Sequence, residues 1–294
     1  MGVDHASKSS ADCGRDVHGW KAGRCEQCGV QIDQPDDAGY TRLAKAAFLG
    51  QQQVVEELLA RGANPNARTK DDFWPLTCAA QKGHVDIVKV LVRAGADVRA
   101  ATNVGNTALI AACINGHSDA ARFLIDAGSD VNARDVDGNV VLQAAAQNCD
   151  SQTLEQLLEH GADLHAGDRV GDTIVGNAVM AGRAENVRLL LARGAQLKWD
   201  AETMCIVCGK GYLEMAKLLI SRGADVNAPE PRMRLTPLLG AAAYGHLETV
   251  TYLVEKGADL TATDRMGNTA VALATRKGHS GVVAYLTAVA ARRR

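Results

Sequence analysis

Four side chains near the N-terminus have the types and spacing to hold a metal ion. Cys13, His18, Cys25 and Cys28 fall within 16 residues and supply three thiols and one imidazole, a set that zinc takes tetrahedrally. Cys25 and Cys28 form a Cys-x2-Cys knuckle followed by Gly29, short enough for two thiolates to reach one ion. With every position filled by protein and none left for water, the chemistry expected is a structural Zn2+ site. Residues 13–30 therefore read as a small zinc-ribbon or zinc-knuckle-like module that its metal folds, because so short a segment has no core of its own. Unliganded cysteines in a flexible arm, or a redox pair, are the competing readings. Residues 1–12 read as a disordered N-terminus, and 31–39, with Pro35 and three aspartates, as a linker.

The remaining chemistry-bearing residues are absorbed by structure. A second Cys-x2-Cys, Cys205 and Cys208, falls on an apolar helical stretch with no further ligands nearby, so both are expected in the core, as are Cys78, Cys113 and Cys149. His84, His117, His246 and His279 each follow a glycine at one recurring position, which marks a structural role. The chain has no Gly-x-Ser-x-Gly elbow, no phosphate-binding Gly-rich loop and no histidine pair spaced for a catalytic metal. The expectation is a protein without catalysis.

The elements that would position any site announce themselves by period. Gly62-Ala63-Asn64, Gly95-Ala96-Asp97, Gly128-Ser129-Asp130, Gly161-Ala162-Asp163, Gly194-Ala195-Gln196, Gly223-Ala224-Asp225 and Gly257-Ala258-Asp259 recur at intervals of 33, 33, 33, 33, 29 and 34 residues. A fixed period of that length means stacked units, each burying its apolar face only against its neighbours. Residues 74–92 show one unit. Pro75 opens a first helix, where its missing N–H costs nothing. Ala79 and Ala80 let a neighbour approach closely, and Gly83 ends the helix in the left-handed conformation. Ile87, Val88, Leu91 and Val92 then form the apolar side of a second helix, ended by Gly95.

This pattern resembles the ankyrin repeat. The fullest match is Thr236-Pro237-Leu238-Leu239, then Ala241-Ala242, Gly245-His246 and Gly257-Ala258-Asp259, with weaker copies starting at Thr41, Trp74, Thr107, Val140, Thr173, Glu202 and Thr269. The fold class expected is all-α: a solenoid of about eight helix-turn-helix units with β-hairpin finger loops over residues 40–291, and a basic tail at 292–294. No unit keeps the family's histidine at the fourth position, so the Thr–His hydrogen bonding at the helix starts is expected to be missing and the stability modest. The 29-residue interval removes four residues from one finger, beside Trp199, whose indole either fills the vacated volume or anchors a partner. The next interval is one residue long, in the finger Glu230-Pro231-Arg232-Met233-Arg234-Leu235.

The resemblance implies a protein partner held on the concave face, by the fingertips and the exposed ends of the first helices. Carried onto this chain, the partner-binding candidates are Phe73, Lys82, Asn115, Asn148, Trp199, Lys210, Arg232, Met233, Arg234, Tyr244, Arg265 and Arg276. Phe73 and Tyr244 are aromatics at positions expected to be exposed, and Met266 lies beside Arg265. Amides and aspartates in the middle give way to Arg, Lys, Met and Tyr over residues 210–277, which favours an acidic partner segment.

Composition sets outer bounds. The net charge is −2 over 294 residues, so no global field draws the protein to nucleic acid. No stretch of the chain is apolar enough for a membrane span, and Met1–Ser10 lacks a signal-peptide core. A soluble cytoplasmic monomer that scaffolds or recruits a protein partner is the primary expectation. A nucleic-acid-associated adaptor using Lys21, Arg24 and the C-terminal arginines is one alternative, and a bacterial effector or immunity factor binding a host or phage protein is another.

Overall fold

The computed structural model describes residues 20–21, 24–25, 31–70, 72–166 and 173–293. The chain divides into two compact units, Met1–Gly171 and Asp172–Arg294. In the first, Trp20–Lys21 (β1) pairs antiparallel with Arg24–Cys25 (β2), Trp20 opposite Cys25. Eight helices follow as four hairpins: Arg42–Phe48 (α1) with Gln52–Ala60 (α2), Pro75–Lys82 (α3) with Val85–Arg93 (α4), Ala108–Ile114 (α5) with Ser118–Asp126 (α6), and Val141–Asn148 (α7) with Ser151–Glu159 (α8). The second unit repeats the plan with Ile174–Met180 (α9) and Ala184–Ala192 (α10), Ala201–Gly209 (α11) and Leu213–Ser221 (α12), Pro237–Ala243 (α13) and Leu247–Glu255 (α14), and Ala270–Lys277 (α15) and Ser280–Arg292 (α16). Within each unit the odd-numbered helices stack in one row and the even-numbered ones in another.

The two rows follow from composition. First helices such as α3, α5 and α13 are sandwiched between neighbours and bury six residues each, in α5 all of Ala108–Cys113. Their alanines permit that close approach. Second helices bury a single stripe, Ile87, Val88 and Leu91 in α4 and Leu154 and Leu157 in α8, and leave charged residues outward. Truncating one of these leucines to alanine is expected to cost about 2–5 kcal/mol through the cavity it leaves.

The helix starts keep the threonine cap although the histidine is missing. Thr41, Thr107, Thr173, Thr236 and Thr269 each accept, through Oγ1, the backbone N–H three residues on, at 3.0–3.4 Å. Each such cap contributes about 1 kcal/mol. The histidines after glycine tie consecutive repeats: Nε2–H of His84, His117, His246 and His279 donates to the carbonyls of Phe48, Gln81, Gly209 and Ala243 at 2.9–3.3 Å.

Gln51, Arg183 and Tyr212 follow their turn glycines in place of histidine, and one turn lacks the glycine as well. At the end of α7 the glycine position holds Cys149, whose φ of −90° is ordinary for a side-chain-bearing residue. The next residue, Asp150, caps α8 by accepting from Thr153 N at 2.8 Å, and accepts from Arg122 Nη1 with both oxygens at 2.8–2.9 Å. The Cys149 thiol donates to Cys113 O at 3.8 Å. A capped, ion-paired turn thus replaces the glycine–histidine tie.

Four expectations are refined by the geometry. In residues 31–39, expected as a linker, Ile32 is buried, Asp33 accepts from Asn64 N, and Asp36 closes a finger turn on Gly39 and Tyr40. In the expected tail at 292–294, Arg292 is the last residue of α16 and the exposed Arg293 donates from Nη2 to Val254 O at 3.1 Å. The helix assigned to Glu202 starts at Ala201, capped by the Asp200 carboxylate, which accepts from Thr203 N at 2.8 Å. The shortened finger is thus followed by a first helix of nine residues where α9 and α13 have seven. The fingers themselves are tight turns; among the described residues they carry single bridges, Ala101 to Thr107 and Arg134 to Val140, and no ladder.

Candidate protein-interaction surface

Each finger is a turn built on one side chain. Asp36, Thr69, Thr102, Asp135, Glu230 and Asp264 open the six described turns. The backbone N–H of each opening residue donates to the carbonyl of the residue that closes its turn: Tyr40, Phe73, Asn106, Asn139, Leu235 and Asn268. Their side-chain oxygens accept further backbone N–H groups inside the turn, such as Asp36 from Ala38 and Tyr40, and Asp264 from Met266 and Asn268. The residue before the closing one has a positive φ: Gly39, Asp72, Gly105, Gly138, Arg234 and Gly267. Glycine takes that conformation freely, whereas Asp72 and Arg234 do so at a cost.

Adjacent fingers are joined through their tips. Lys70 N donates to Gly39 O, Asn103 N to the Asp72 carboxylate and Val136 N to Val104 O in the first unit, and Arg265 N to Met233 O at 2.8 Å in the second. Below the tips, Asn66, Asn132 and Asn227 bridge neighbouring repeats by donating to Gly95, Gly161 and Gly257 carbonyls and accepting from the N–H groups of Asp97, Asp163 and Asp259. Asp33 holds the corresponding place before Asn64, which is why residues 31–39 join the array.

On this frame the side chains fall unevenly. In the second unit Arg232, Met233, Arg234, Arg265 and Met266 are exposed, Met266 at 71%, and Tyr244 is 68% exposed at the end of α13. Arg265 Nη1 donates to Arg232 O at 3.3 Å. Arg276 is exposed near the carboxylate of Asp264, whose hydrogen bonds from Asn268 hold it below the ordinary carboxylate range. Lys210 is exposed, yet its Nζ donates to Met180 O at 3.1 Å and lies over the Tyr212 ring, so part of its role is structural. The Tyr244 ring reaches over Gly209 of α11, the first helix of the preceding repeat.

In the first unit the exposed apolar residues are aliphatic: Leu49, Val104, Ile114 and Val136. Lys82 lies over the Phe48 ring at 4.5 Å, and Asn115 and Asn148 turn their amides back to Ala111 O and Ala144 O. Phe73, expected exposed, is half-buried, as is Trp199.

Cys13, His18 and Cys28 lie outside the described residues, as does the side chain of Cys25. Among the described residues no group of three or more His, Cys, Asp or Glu is arranged to hold a metal. Cys78, Cys113, Cys149, Cys205 and Cys208 are buried free thiols. Burial pushes Cys78 and Cys208 up to about 12 and Cys205 up to about 11, and contact with Cys149, then burial, raises Cys113. All five are packing groups, and Cys78, Cys113, Cys205 and Cys208 stay protonated at neutral pH.

Missed from sequence were the carboxylates beneath the tips. Glu230 is 7% exposed and accepts the N–H groups of Arg232, Met233 and Leu235. Burial alone would raise its pKa, but those three donors hold it below its ordinary 4.5. The visible signal was position: an acidic or hydroxyl residue three or four places before the positive-φ residue.

Ankyrin-repeat models match residues 43–135, 141–230 and 204–292. The chain belongs to the ankyrin-repeat family. Ankyrin repeats are protein–protein interaction modules, so a protein partner is the coarse functional assignment. This ankyrin protein is also similar to the cyclin-dependent kinase inhibitor 2A of Monodelphis domestica, 35% identical over 79 residues, which is 27% of this chain and 46% of that protein. The match thus spans less than half of the relative's length. Among the described residues no helix is long and apolar enough to cross a membrane.

Proposed function

We propose that this ankyrin protein is a non-catalytic scaffold that captures a protein partner, as a monomer, on the fingertips and first-helix ends of its second unit. The observation that supports this reading is the exposure of Met266, Tyr244 and Met233 on two adjacent fingers and the neighbouring helix end, on a fold whose other large apolar side chains are mostly spent between helices. Aromatic and thioether side chains at exposed positions, rimmed by arginine, have the composition of interface hot spots. The relative is, by its name, an inhibitor of a cyclin-dependent kinase; the reading for this chain is the coarser one of capture. The test is affinity capture from native lysate with the full chain, comparing wild type with Tyr244→Ala/Met266→Ala. A partner lost in the variant at an unchanged melting temperature supports the reading, and an identical partner list at an unchanged melting temperature overturns it.

We also propose that Cys13, His18, Cys25 and Cys28 hold a structural zinc ion. The donor set supports this reading, together with the hairpin of β1 and β2, a short paired segment leading into the Cys25–Cys28 knuckle. Cys25→Ser/Cys28→Ser is expected to abolish stoichiometric zinc, measured by elemental analysis, without changing array melting. Zinc retained in that variant overturns the assignment.

A further inference from the structure

The second unit's fingertips carry arginines that no carboxylate among the described residues pairs with directly. Arg232, Arg234 and Arg265 stand on the two joined fingers Glu230–Leu235 and Asp264–Asn268, and none of them forms an ion pair among the described residues. The carboxylates that could have paired with them are turned inward. Glu230 and Asp264 are 7% and 6% exposed, and their oxygens already accept backbone and amide N–H groups of their own turns. Their charge tempers the local field, but they present no oxygen outward to a guanidinium.

Arg234 sharpens the point. It occupies the position where four of the six fingers have glycine, at φ +55°. Asp72, the other exception, has a structural reason: its carboxylate holds Asn103 N at 2.7 Å and pairs with Arg68. No such reason exists for Arg234 among the described residues, and its side chain is exposed. The chain thus keeps an outward cation at a place where glycine would be less strained.

Between these arginines lie the thioethers of Met233 and Met266, flexible and polarisable groups that adapt to an apolar side chain. The charge balance points the same way. Asp172–Arg294 holds 16 Lys and Arg against 11 Asp and Glu, whereas Met1–Gly171 holds 16 against 23. An excess of acid in the other half of the chain disfavours a long polyanion such as RNA, which needs a continuous basic track. A short anionic segment with an apolar residue meets both features of the fingertips.

Building on the scaffold reading above, we infer that the occupant of these two fingers is an acidic peptide segment with a large apolar side chain. Its carboxylates pair with Arg232, Arg234 and Arg265, and its apolar side chain packs on Met233 and Met266.

The experiment is selection of a random twelve-residue peptide display library on the immobilised full chain, in parallel with Arg232→Glu/Arg234→Glu/Arg265→Glu and with Met233→Ala/Met266→Ala. One fluorescein-labelled selected peptide is then titrated at about 50 and about 300 mM NaCl. The expected result is enrichment of Asp and Glu beside Leu, Phe or Trp on wild type. Affinity is expected to fall at least about tenfold in the charge-reversed protein and about tenfold between the two salt concentrations, as screening predicts for exposed charges. Peptides selected without acidic bias, no peptides selected, or equal binding by the charge-reversed protein overturn the inference. So does tighter binding of a twenty-nucleotide single-stranded RNA or of phosphatidylserine-containing vesicles than of the peptide. If only the charge-reversed variant is silent, the scaffold reading survives; if Met233→Ala/Met266→Ala is silent as well, that reading falls with it. Circular dichroism melting confirms that each variant is folded.

Discussion

The two units use the same turns to opposite surface effect. In the first, the finger carboxylate of Asp72 pairs with Arg68 and holds Asn103 N, and away from the fingers Arg122 of α6 is shared between Asp119, Asp150 and Thr153, while Lys70 and Asp137 stay exposed at the tips. In the second, carboxylates are folded under the tips and guanidinium groups are left outside. The excess runs seven charges to acid in one unit and five to base in the other. The difference teaches that the periodic residues, which carry the fold, and the tip residues, which carry recognition, vary independently. Opposite faces can be written on one frame without touching its hydrogen bonds.

The largest test of that comparison is on the frame. Gly211 has φ +71° and a Cβ there would fall on the His246 ring, whose Nε2–H donates to Gly209 O. Gly211→Ala is expected to cost about 3 kcal/mol, from the left-handed penalty and the loss of a partly buried hydrogen bond. Cys149 occupies the matching place in the first unit at φ −90°, and Cys149→Ala is expected to cost about 1 kcal/mol. Urea unfolding of the two variants reads the difference directly; equal losses would mean that the glycine–histidine tie and the Cys149–Asp150 turn are energetically alike.

Next in size is the division of labour between faces. Met233→Ala/Met266→Ala is expected to weaken an acidic-apolar peptide about tenfold, about 1.4 kcal/mol, whereas Val104→Ala/Val136→Ala, on the joined fingertips of the first unit, is expected to leave it within about twofold. Fluorescence anisotropy decides it, and a loss in the valine variant as large as that in the methionine one would erase the distinction between the units.

The array was legible in sequence because its signals are local and repeated. Pro75 starts α3, Gly83 and Gly278 end helices in the left-handed conformation, and the Gly-His pairs mark the ties. What escaped notice depended on partners about one period away. Asp33 looks like linker acid until Asn64, 31 residues on, is seen to correspond to Asp97 beside Asn66. Asp200 has the Asp-x-x-Thr signature of a cap, but the deleted finger shifted the expected start to Glu202. The face was legible only in part: arginines and methionines could be placed at the tips, while the inward turn of Glu230 and Asp264, which leaves those arginines unpaired, needed coordinates. Phe73 misled because an aromatic beside a fingertip reads as exposed, whereas its ring is half-buried.

A smaller effect is tied to pH. Burial alone would raise the Asp150 carboxyl, but Arg122 and Thr153 hold it below its ordinary 3.8. Its contribution is therefore complete above that value and lost as pH falls through the lower folded value. Asp150→Ala is expected to cost about 1 kcal/mol at neutral pH as a lost cap, and the gap to wild type should close on acidification below about pH 3.8. A gap independent of pH in chemical denaturation would assign the loss to packing and remove the ion-paired turn from the contrast between units.

The smallest effect is the most diagnostic, because stability and binding should move in opposite directions. Arg234→Gly relieves a left-handed non-glycine residue and is expected to stabilise the chain by about 0.5 kcal/mol, the steric gain being partly offset by glycine's greater freedom when unfolded. The same change removes one of three outward guanidinium groups and should weaken the acidic peptide about threefold. Asp72→Gly, at the corresponding place in the first unit, should instead destabilise, since it releases Asn103 N and Arg68. Thermal melting and anisotropy on the pair separate the cases. If Arg234→Gly neither stabilises nor weakens binding, the strained cation has no recognition role, and the two positive-φ exceptions differ only by chance.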